Sequence, residues 1–286
     1  MNPKILFIEG NPGSGKTTFS KRLSETLSSQ GYRVKSYQEG DLHPIDLAWI
    51  AILDSNTFKR ALKAYPMLKE DILKYSKKID DSYYLAYTKV DYQIAPKSYY
   101  ETMAQYEIFK ENDLDIFFSA YKKLYLDFAR MIEPNTIYIF ECILIQNHIN
   151  QLILRHNLDK EAMIRYFKDL INPLLPYQPL LLFIKQLDVR KSIEKVSIER
   201  KSYDLSKFPD WITRVIDYIK AMPYGQSMGY KDYESIIQYF KDRQTKTLDL
   251  LKKLPINYEV FNLNDDYDDT FEAIKVAVDK SISKPN

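Results

Sequence analysis

Gly10-Asn11-Pro12-Gly13-Ser14-Gly15-Lys16-Thr17 is the stretch of this sequence that decides the fold. It matches the pattern G-x-x-x-x-G-K-[ST], and it lies between an apolar run, residues 4–9, and an amphipathic stretch, residues 17–30. A strand, a glycine-rich loop and a helix in this order are the setting of a phosphate-binding loop. Glycines let backbone N–H groups turn toward an anion, and the helix presents the positive end of its dipole to it. Residues 10–17 are hereafter the glycine loop.

The glycine loop predicts a site for a nucleoside triphosphate and Mg²⁺. Lys16 is expected to reach the β- and γ-phosphates, and Thr17 is expected to hold Mg²⁺ through its hydroxyl. The alternative, a chance glycine turn, is disfavoured by the flanking strand and helix. The residues predicted to bind the nucleotide, ATP, are Gly10, Asn11, Pro12, Gly13, Ser14, Gly15, Lys16, Thr17 and Thr18.

The composition excludes several classes of protein. The 286 residues include 41 basic and 39 acidic side chains, so the net charge of +2 predicts no field that would attract nucleic acid. A single cysteine excludes an internal disulfide framework and favours a reducing compartment. Neither a secretory leader nor an apolar run of roughly 20 residues can be found. We therefore expect a soluble cytoplasmic protein without a membrane partner.

Short apolar runs alternate with segments of helical period, which predicts an α/β fold with three layers and a mainly parallel sheet of five strands flanked by helices. The predicted strands are 4–9, 34–38, 136–140, 180–184 and 258–263. The predicted helices are 17–30, 114–132, 159–171, 188–201, 211–222, 233–251 and 270–282.

The second and third predicted strands are separated by almost a hundred residues, far more than a crossover connection needs. We expect a helical insertion at 45–132 that caps the site of the phosphate acceptor. No linker rich in glycine or serine divides the chain, so we predict one domain over 1–286. A lid-like region is predicted at 200–230.

Candidate catalytic residues follow the strands, because α/β sheets bind ligands at the carboxyl ends of their strands. Glu39 and Asp41 follow the second strand, and either can serve as the base that accepts the proton of an attacking hydroxyl. Glu141 follows the third strand, where an acidic group can hold Mg²⁺. Arg200 is the preferred cation for stabilising charge in the transition state, with Arg214 as the alternative. An ordinary turn or a solvated strand end is the competing interpretation of the carboxylates.

The remaining titratable residues are weaker candidates for a place in the functional site. His43 follows the second strand and is either a substrate contact or a structural residue before Pro44. Lys201 follows Arg200 and is a second-rank candidate for the lid. The histidines and the cysteine lack the spacing of metal ligands, so no zinc site is expected.

These residues together resemble the P-loop kinases of nucleosides and nucleotides, the thymidylate-kinase-like and deoxynucleoside-kinase-like group. The resemblance covers roughly two thirds of the chain and is most specific in the glycine loop. It implies ATP and Mg²⁺ as donor and cofactor, a base near Glu39 and an arginine-bearing lid. The chain has Cys142 and Gln38 where members that phosphorylate nucleotides carry arginines. Without those guanidinium groups an acceptor phosphate lacks its usual partner.

The leading hypothesis is accordingly a kinase that transfers the γ-phosphate to a hydroxyl of a nucleoside or of another small alcohol, such as an antibiotic. A nucleoside monophosphate kinase is one alternative. A nucleotide-dependent ATPase or switch acting on a protein partner is another. A GTPase is disfavoured because the base-reading motif N/T-K-x-D is missing. A homodimer is left open.

Overall fold

The computed structural model describes residues 4–91, 93–110, 113–205, 208–263 and 266–283. The chain divides into two compact units, one formed by Met1–Gln38 and Ala129–Asn286 and the other by Glu39–Phe128. They are hereafter the sheet unit and the inserted unit. In chain order the elements are β1 (Lys4–Gly10), α1 (Lys16–Ser29), β2 (Arg33–Tyr37), β3 (Ala51–Asp54), α2 (Ser55–Ala64), α3 (Lys69–Lys74), β4 (Ser76–Ile79), β5 (Ser82–Leu85), α4 (Lys97–Ala104), α5 (Leu114–Met131), β6 (Thr136–Glu141), α6 (Gln146–Ile149), α7 (Lys160–Ile171), β7 (Leu180–Gln186), α8 (Val189–Glu199), α9 (Trp211–Ala221), α10 (Pro223–Ser227), α11 (Tyr233–Leu251), β8 (Asn257–Leu263) and α12 (Tyr267–Ser283).

The sheet unit contains one five-stranded sheet in the order β2-β6-β1-β7-β8. Every neighbouring pair in it is parallel. The α/β prediction is therefore confirmed, and the sheet is entirely parallel. β1 occupies the centre, so the glycine loop that follows it emerges between the ends of β6 and β7.

Helices cover both faces of this sheet. Leu6 and Ile8 of β1 pack in one core cluster with Phe19 and Leu23 of α1 and with Ile274 of α12. The alternate residues of β1 point to the opposite face and are equally buried. A strand that is buried on both faces is continuously apolar, and this is why β1, β6 and β7 were visible in the sequence as apolar runs. The outer strands β2 and β8 are partly exposed and carry polar residues.

Most of the observed helices and strands begin or end a few residues away from their predicted boundaries. β6 includes Glu141, and β7 continues two residues beyond its predicted end to Gln186, a polar side chain that is only 1% exposed. α12 begins at Tyr267 instead of residue 270, since Asp266 accepts a hydrogen bond from the N–H of Asp268 and so starts the helix earlier. Apolar periodicity marks helix interiors better than helix ends.

The inserted unit is not purely helical, so the predicted helical insertion at 45–132 is not confirmed in that form. Helices α2, α3 and α4 lie beside a three-stranded antiparallel sheet in the order β3-β5-β4. Its strands have only four residues each, and the hairpin of β4 and β5 carries exposed lysines. Such short strands give no apolar period in the sequence. The role of this unit as an acceptor cap and the single domain over 1–286 stay predictions.

The region predicted as a lid, 200–230, contains α9 and α10 after an irregular stretch, and residues 206 and 207 in it lie outside the described residues. α9 packs in one apolar cluster with α8 and α11. Its function as a lid stays a prediction. None of the helices in the described ranges is both long and apolar enough to span a bilayer.

Candidate functional site

The glycine loop adopts a conformation that only glycine fits at three positions. Gly13 and Gly15 have φ angles of +76° and +79°, in the left-handed region that side chains disfavour. A Cβ on Gly13 would lie 2.7 Å from the carbonyl oxygen of Ser192, and one on Gly15 would lie 2.6 Å from the ring of Tyr267. Gly10 is similarly close to the carbonyl oxygen of Ile184. The backbone of the loop is thus closely packed at all three glycines.

The first turn of α1 begins within this loop. Gly15 caps the helix without a side-chain hydrogen bond, and no acidic residue lies in the first turn. The N–H of Phe19 makes the first intrahelical bond, to the carbonyl of Gly15 at 2.9 Å, so the N–H groups before it have no partner within the helix. Free amides at the positive end of a helix dipole suit an anion such as phosphate.

Lys16 and Thr17 follow the carboxyl end of β1, and Glu141 is the last residue of β6. The hydroxyl of Thr17 donates to Oε1 of Glu141 at 2.5 Å, and Nζ of Lys16 donates to the carbonyl of Asn11 at 2.8 Å. Both Lys16 and Glu141 are buried. The structure therefore joins Thr17 to Glu141, the two residues that the sequence analysis singled out for Mg²⁺, and it holds Lys16 against the glycine loop.

A buried carboxylate that sequence analysis missed shapes the turn after Glu141. Glu9, 1% exposed, accepts hydrogen bonds from the backbone N–H groups of Leu144, Ile145 and Gln146 at 2.7–3.0 Å. Burial raises the pKa of Glu9, while these amides and the charge of Lys16 act in the opposite direction. An acid inside an otherwise apolar strand was the available signal for this residue.

Cys142 begins the same turn in the left-handed region. Its φ is +68°, its N–H donates to the carbonyl of Ile8, and its side chain is buried. The position that carries an arginine in nucleotide-phosphorylating members of the resembled family is thus occupied by a small buried thiol.

Glu39 and Asp41, the two candidate bases, belong to the inserted unit. Nε1 of Trp49 donates to Glu39 at 3.2 Å, and Trp49 itself has a φ of +63°, which is unusual for a bulky residue. Asp41 forms an ion pair with Lys89 at 2.8 Å. Neither partner was expected from the sequence. The assignment of either carboxylate as a base stays a prediction.

His43 has a local structural contact. Its Nδ1 accepts the N–H of Ile45 at 3.2 Å, and burial lowers the pKa of the imidazole to about 3. The ring is therefore neutral at physiological pH. This geometry favours the structural interpretation of His43 over the substrate contact.

Arg200 and Arg214 lie close enough to influence each other. The guanidinium of Arg200 lies 5.6 Å from the ring centroid of Trp211. Desolvation lowers the pKa of Arg214, and the neighbouring charge of Arg200 lowers it further. Within the described ranges neither guanidinium has an ion-pair partner.

Across the described part of the chain, no three His, Cys, Asp or Glu side chains converge into a metal cage. Thr17 and Glu141 nevertheless offer two adjacent oxygens. Mg²⁺ usually takes one or two protein ligands and completes its shell with water and phosphate, so this pair suits it.

Comparison with known proteins finds no matching family model and no matching curated protein. Among solved structures, APE1195 is 12% identical over 99% of this chain and 98% of its own, with a TM-score of 0.33. A herpesvirus thymidine kinase, EHV4-TK complexed with TP4A, is 11% identical over 97% of this chain and 91% of its own, with a TM-score of 0.34. Likenesses of this size indicate no function.

Proposed function

We propose that this chain is an ATP- and Mg²⁺-dependent kinase that transfers the γ-phosphate to a hydroxyl of a nucleoside or of another small alcohol. One observation carries the proposal. The conformation of the glycine loop excludes side chains at Gly10, Gly13 and Gly15, Nζ of Lys16 donates to the loop carbonyl of Asn11, and the hydroxyl of Thr17 donates to Glu141. This combination supplies backbone amides, a cation and oxygen ligands at one strand end, which is what phosphoryl transfer requires of a protein.

The donor side follows from the contacts of the loop. Lys16 gives up its bond to the carbonyl of Asn11 and takes phosphate oxygens in its place, since an anion is a stronger acceptor than a neutral carbonyl. Thr17 and Glu141 would hold Mg²⁺, which supplies charge neutralisation between the β- and γ-phosphates when bound. The amides at the start of α1 hold the remaining phosphate oxygens.

The acceptor side needs a group that takes the proton of the attacking hydroxyl. Protonation of Asp41 would break its ion pair with Lys89, whereas Glu39 is held by an uncharged indole. We therefore favour Glu39 as the base and keep Asp41 as the alternative. Arg200, with Arg214 behind it, is proposed to balance the charge that develops on the transferred phosphoryl group.

The turn after β6 supports an acceptor without a phosphate group. Cys142 is buried there and offers no guanidinium, and Gln38 after β2 offers none either. A nucleoside or an uncharged or cationic natural product such as an antibiotic fits better than a nucleoside monophosphate. Nucleoside monophosphate kinase activity, and an ATPase or switch acting on a protein partner, remain the alternatives.

Turnover with a panel of acceptors tests this proposal. ADP release from ATP and Mg²⁺ is measured alone, with nucleosides, with nucleoside monophosphates and with hydroxylated or aminated natural products. Lys16→Ala is expected to abolish release, and Lys21→Ala, an exposed lysine on the same helix, is the matched control. Acceleration by a macromolecule instead of by any small acceptor would favour the switch. Unchanged turnover in Lys16→Ala contradicts the whole assignment.

A further inference from the structure

Arg243 on α11 is a buried cation that has no carboxylate partner among the described residues. Its side chain is only 5% exposed. Nε donates to Oδ1 of Asn11 at 3.0 Å, and one Nη donates to Oδ1 of Asn150 at 3.1 Å. The guanidinium also lies 5.0 Å from the ring centroid of Phe240. Within the described ranges it forms no ion pair, and the three residues that it contacts, Asn11, Asn150 and Phe240, are uncharged.

The contact to Asn11 joins α11 to the glycine loop. Asn11 is the second residue of that loop, and its amide nitrogen donates to the carbonyl of Phe240 at 2.9 Å. Both ends of the Asn11 amide are therefore held by one turn of α11. The next loop residue is held similarly, since the carbonyl of Pro12 accepts from Gln186, whose backbone is bonded to Gln244 of α11.

The hydrogen bonds alone do not explain why this residue is charged. Two amide oxygens can be satisfied by a neutral donor, and Asn150 also accepts from the hydroxyl of Tyr239 at 2.9 Å. A buried charge without a counter-charge destabilises the folded state, and neutral residues of similar volume at such positions are commonly as stable or more stable. The positive charge adjoining the glycine loop thus calls for an anion that binds there.

We propose that Arg243 is a positioning residue for the donor triphosphate, which supplies the counter-charge that the described residues do not provide. It holds Asn11 in place by hydrogen bonding and attracts the phosphate chain through the poorly screened interior. This inference rests on the proposed binding of a nucleoside triphosphate. It predicts that the contribution of Arg243 to affinity grows with the number of phosphates on the nucleotide.

Calorimetric titration of Mg·ATP, Mg·ADP and AMP into the unmodified protein and three variants tests the proposal. Arg243→Lys keeps the charge, Arg243→Gln keeps a hydrogen-bond donor, and Arg243→Met keeps only volume. Both neutral variants are expected to weaken ATP binding about tenfold or more and AMP binding less than twofold. Arg243→Lys is expected to stay within about threefold of the unmodified protein for ATP. Melting without nucleotide should be unchanged or higher for Arg243→Gln, which keeps a donor for the side-chain oxygen of Asn11, and lower for Arg243→Met, which leaves that buried oxygen without a donor.

The outcomes separate the inference from the proposed function. If the unmodified protein binds none of the three nucleotides, the proposed function fails and the inference fails with it. If it binds ATP and the neutral variants bind ATP equally well, or lose the same factor for ATP and AMP, the inference alone is overturned. If both neutral variants fail to fold while Arg243→Lys folds, the charge is a structural requirement and the inference is likewise overturned.

Discussion

Substituting glycine by alanine at residues 13 and 31 separates the two reasons for which a glycine is needed. Both residues have positive φ angles, +76° at Gly13 and +87° at Gly31. An added Cβ on Gly13 would lie 2.7 Å from the backbone oxygen of Ser192, whereas nothing lies within 4 Å of one on Gly31. Both substitutions therefore force alanine into the left-handed conformation, but only Gly13→Ala also creates a steric clash with a neighbouring backbone.

The magnitudes follow from this difference. The left-handed conformation costs alanine about 1–2 kcal/mol at either residue. A contact with a backbone carbonyl cannot be relieved by side-chain rotation, so Gly13→Ala loses about 2 kcal/mol more, within the range of overpacking. At about 2 °C per kcal/mol for a chain of this size, Gly31→Ala should melt about 2–4 °C lower and Gly13→Ala about 6–8 °C lower.

The assay is thermal melting with and without Mg·ATP. At a hundredfold excess over Kd a nucleotide adds about 2.7 kcal/mol, so the unmodified protein and Gly31→Ala should both gain about 5 °C. Gly13→Ala should gain nothing, because the carbonyl of Ser192 forces the loop out of its observed conformation. The reasoning is refuted if Gly13→Ala melts at the same temperature as Gly31→Ala and if Mg·ATP raises its melting temperature by the full amount of about 5 °C.

Three further predictions concern single side chains. Lys16→Ala should lower kcat at least about a hundredfold while melting remains within about 1 °C of the unmodified protein, since the lost charge acts on phosphate; normal kcat rejects the role of Lys16. Glu141→Gln should raise the Mg²⁺ concentration for half-maximal activity about tenfold, because an amide replaces the carboxylate that accepts from Thr17; an unchanged Mg²⁺ titration places the metal elsewhere. Burial raises the pKa of Asp46 from 3.8 to about 7, so its ionised form is disfavoured in the folded chain and the free energy of unfolding should fall as pH rises between these values. Asp46→Asn should flatten that part of the profile in denaturant titrations at several pH values, and a profile identical to that of the unmodified protein contradicts it.

The inserted unit shows why part of the fold was unpredictable from sequence. Its antiparallel sheet pairs Ala51 with Leu85 and Ser76 with Leu85, and each strand is too short for its alternation to be distinguished from chance. Tyr83 stacks on Phe58 of α2 at 3.9 Å between ring centroids, a packing contact that joins two elements 25 positions apart. Pairing of this kind depends on tertiary packing and leaves no local pattern.

The site was predictable to the extent that its chemistry is local. The predicted phosphate-binding residues lie within eight consecutive positions, namely Gly10, Gly13, Gly15, Lys16 and Thr17. The conformation of this loop depends on backbone sterics, which the glycines in the sequence indicate directly. Glu141 could be predicted from the sequence because a carboxylate at the end of an apolar strand is unusual. The support of Glu9 for the following turn was not foreseen, since hydrogen bonds between residues more than 130 positions apart have no signature in the sequence.

By itself the sequence determined the strand, glycine loop and helix at the start of the chain, and the parallel sheet built around them, because both follow from short-range sterics and from the burial of apolar runs. Only the tertiary structure decided which side chains meet at that loop. It brought Glu141 to Thr17 across 124 positions and Arg243 to Asn11 across 232. Hydrogen bonds and uncompensated charges act through space over a few ångströms. Their partners are therefore fixed by the packing of the sheet and its helices, and no local sequence pattern indicates them.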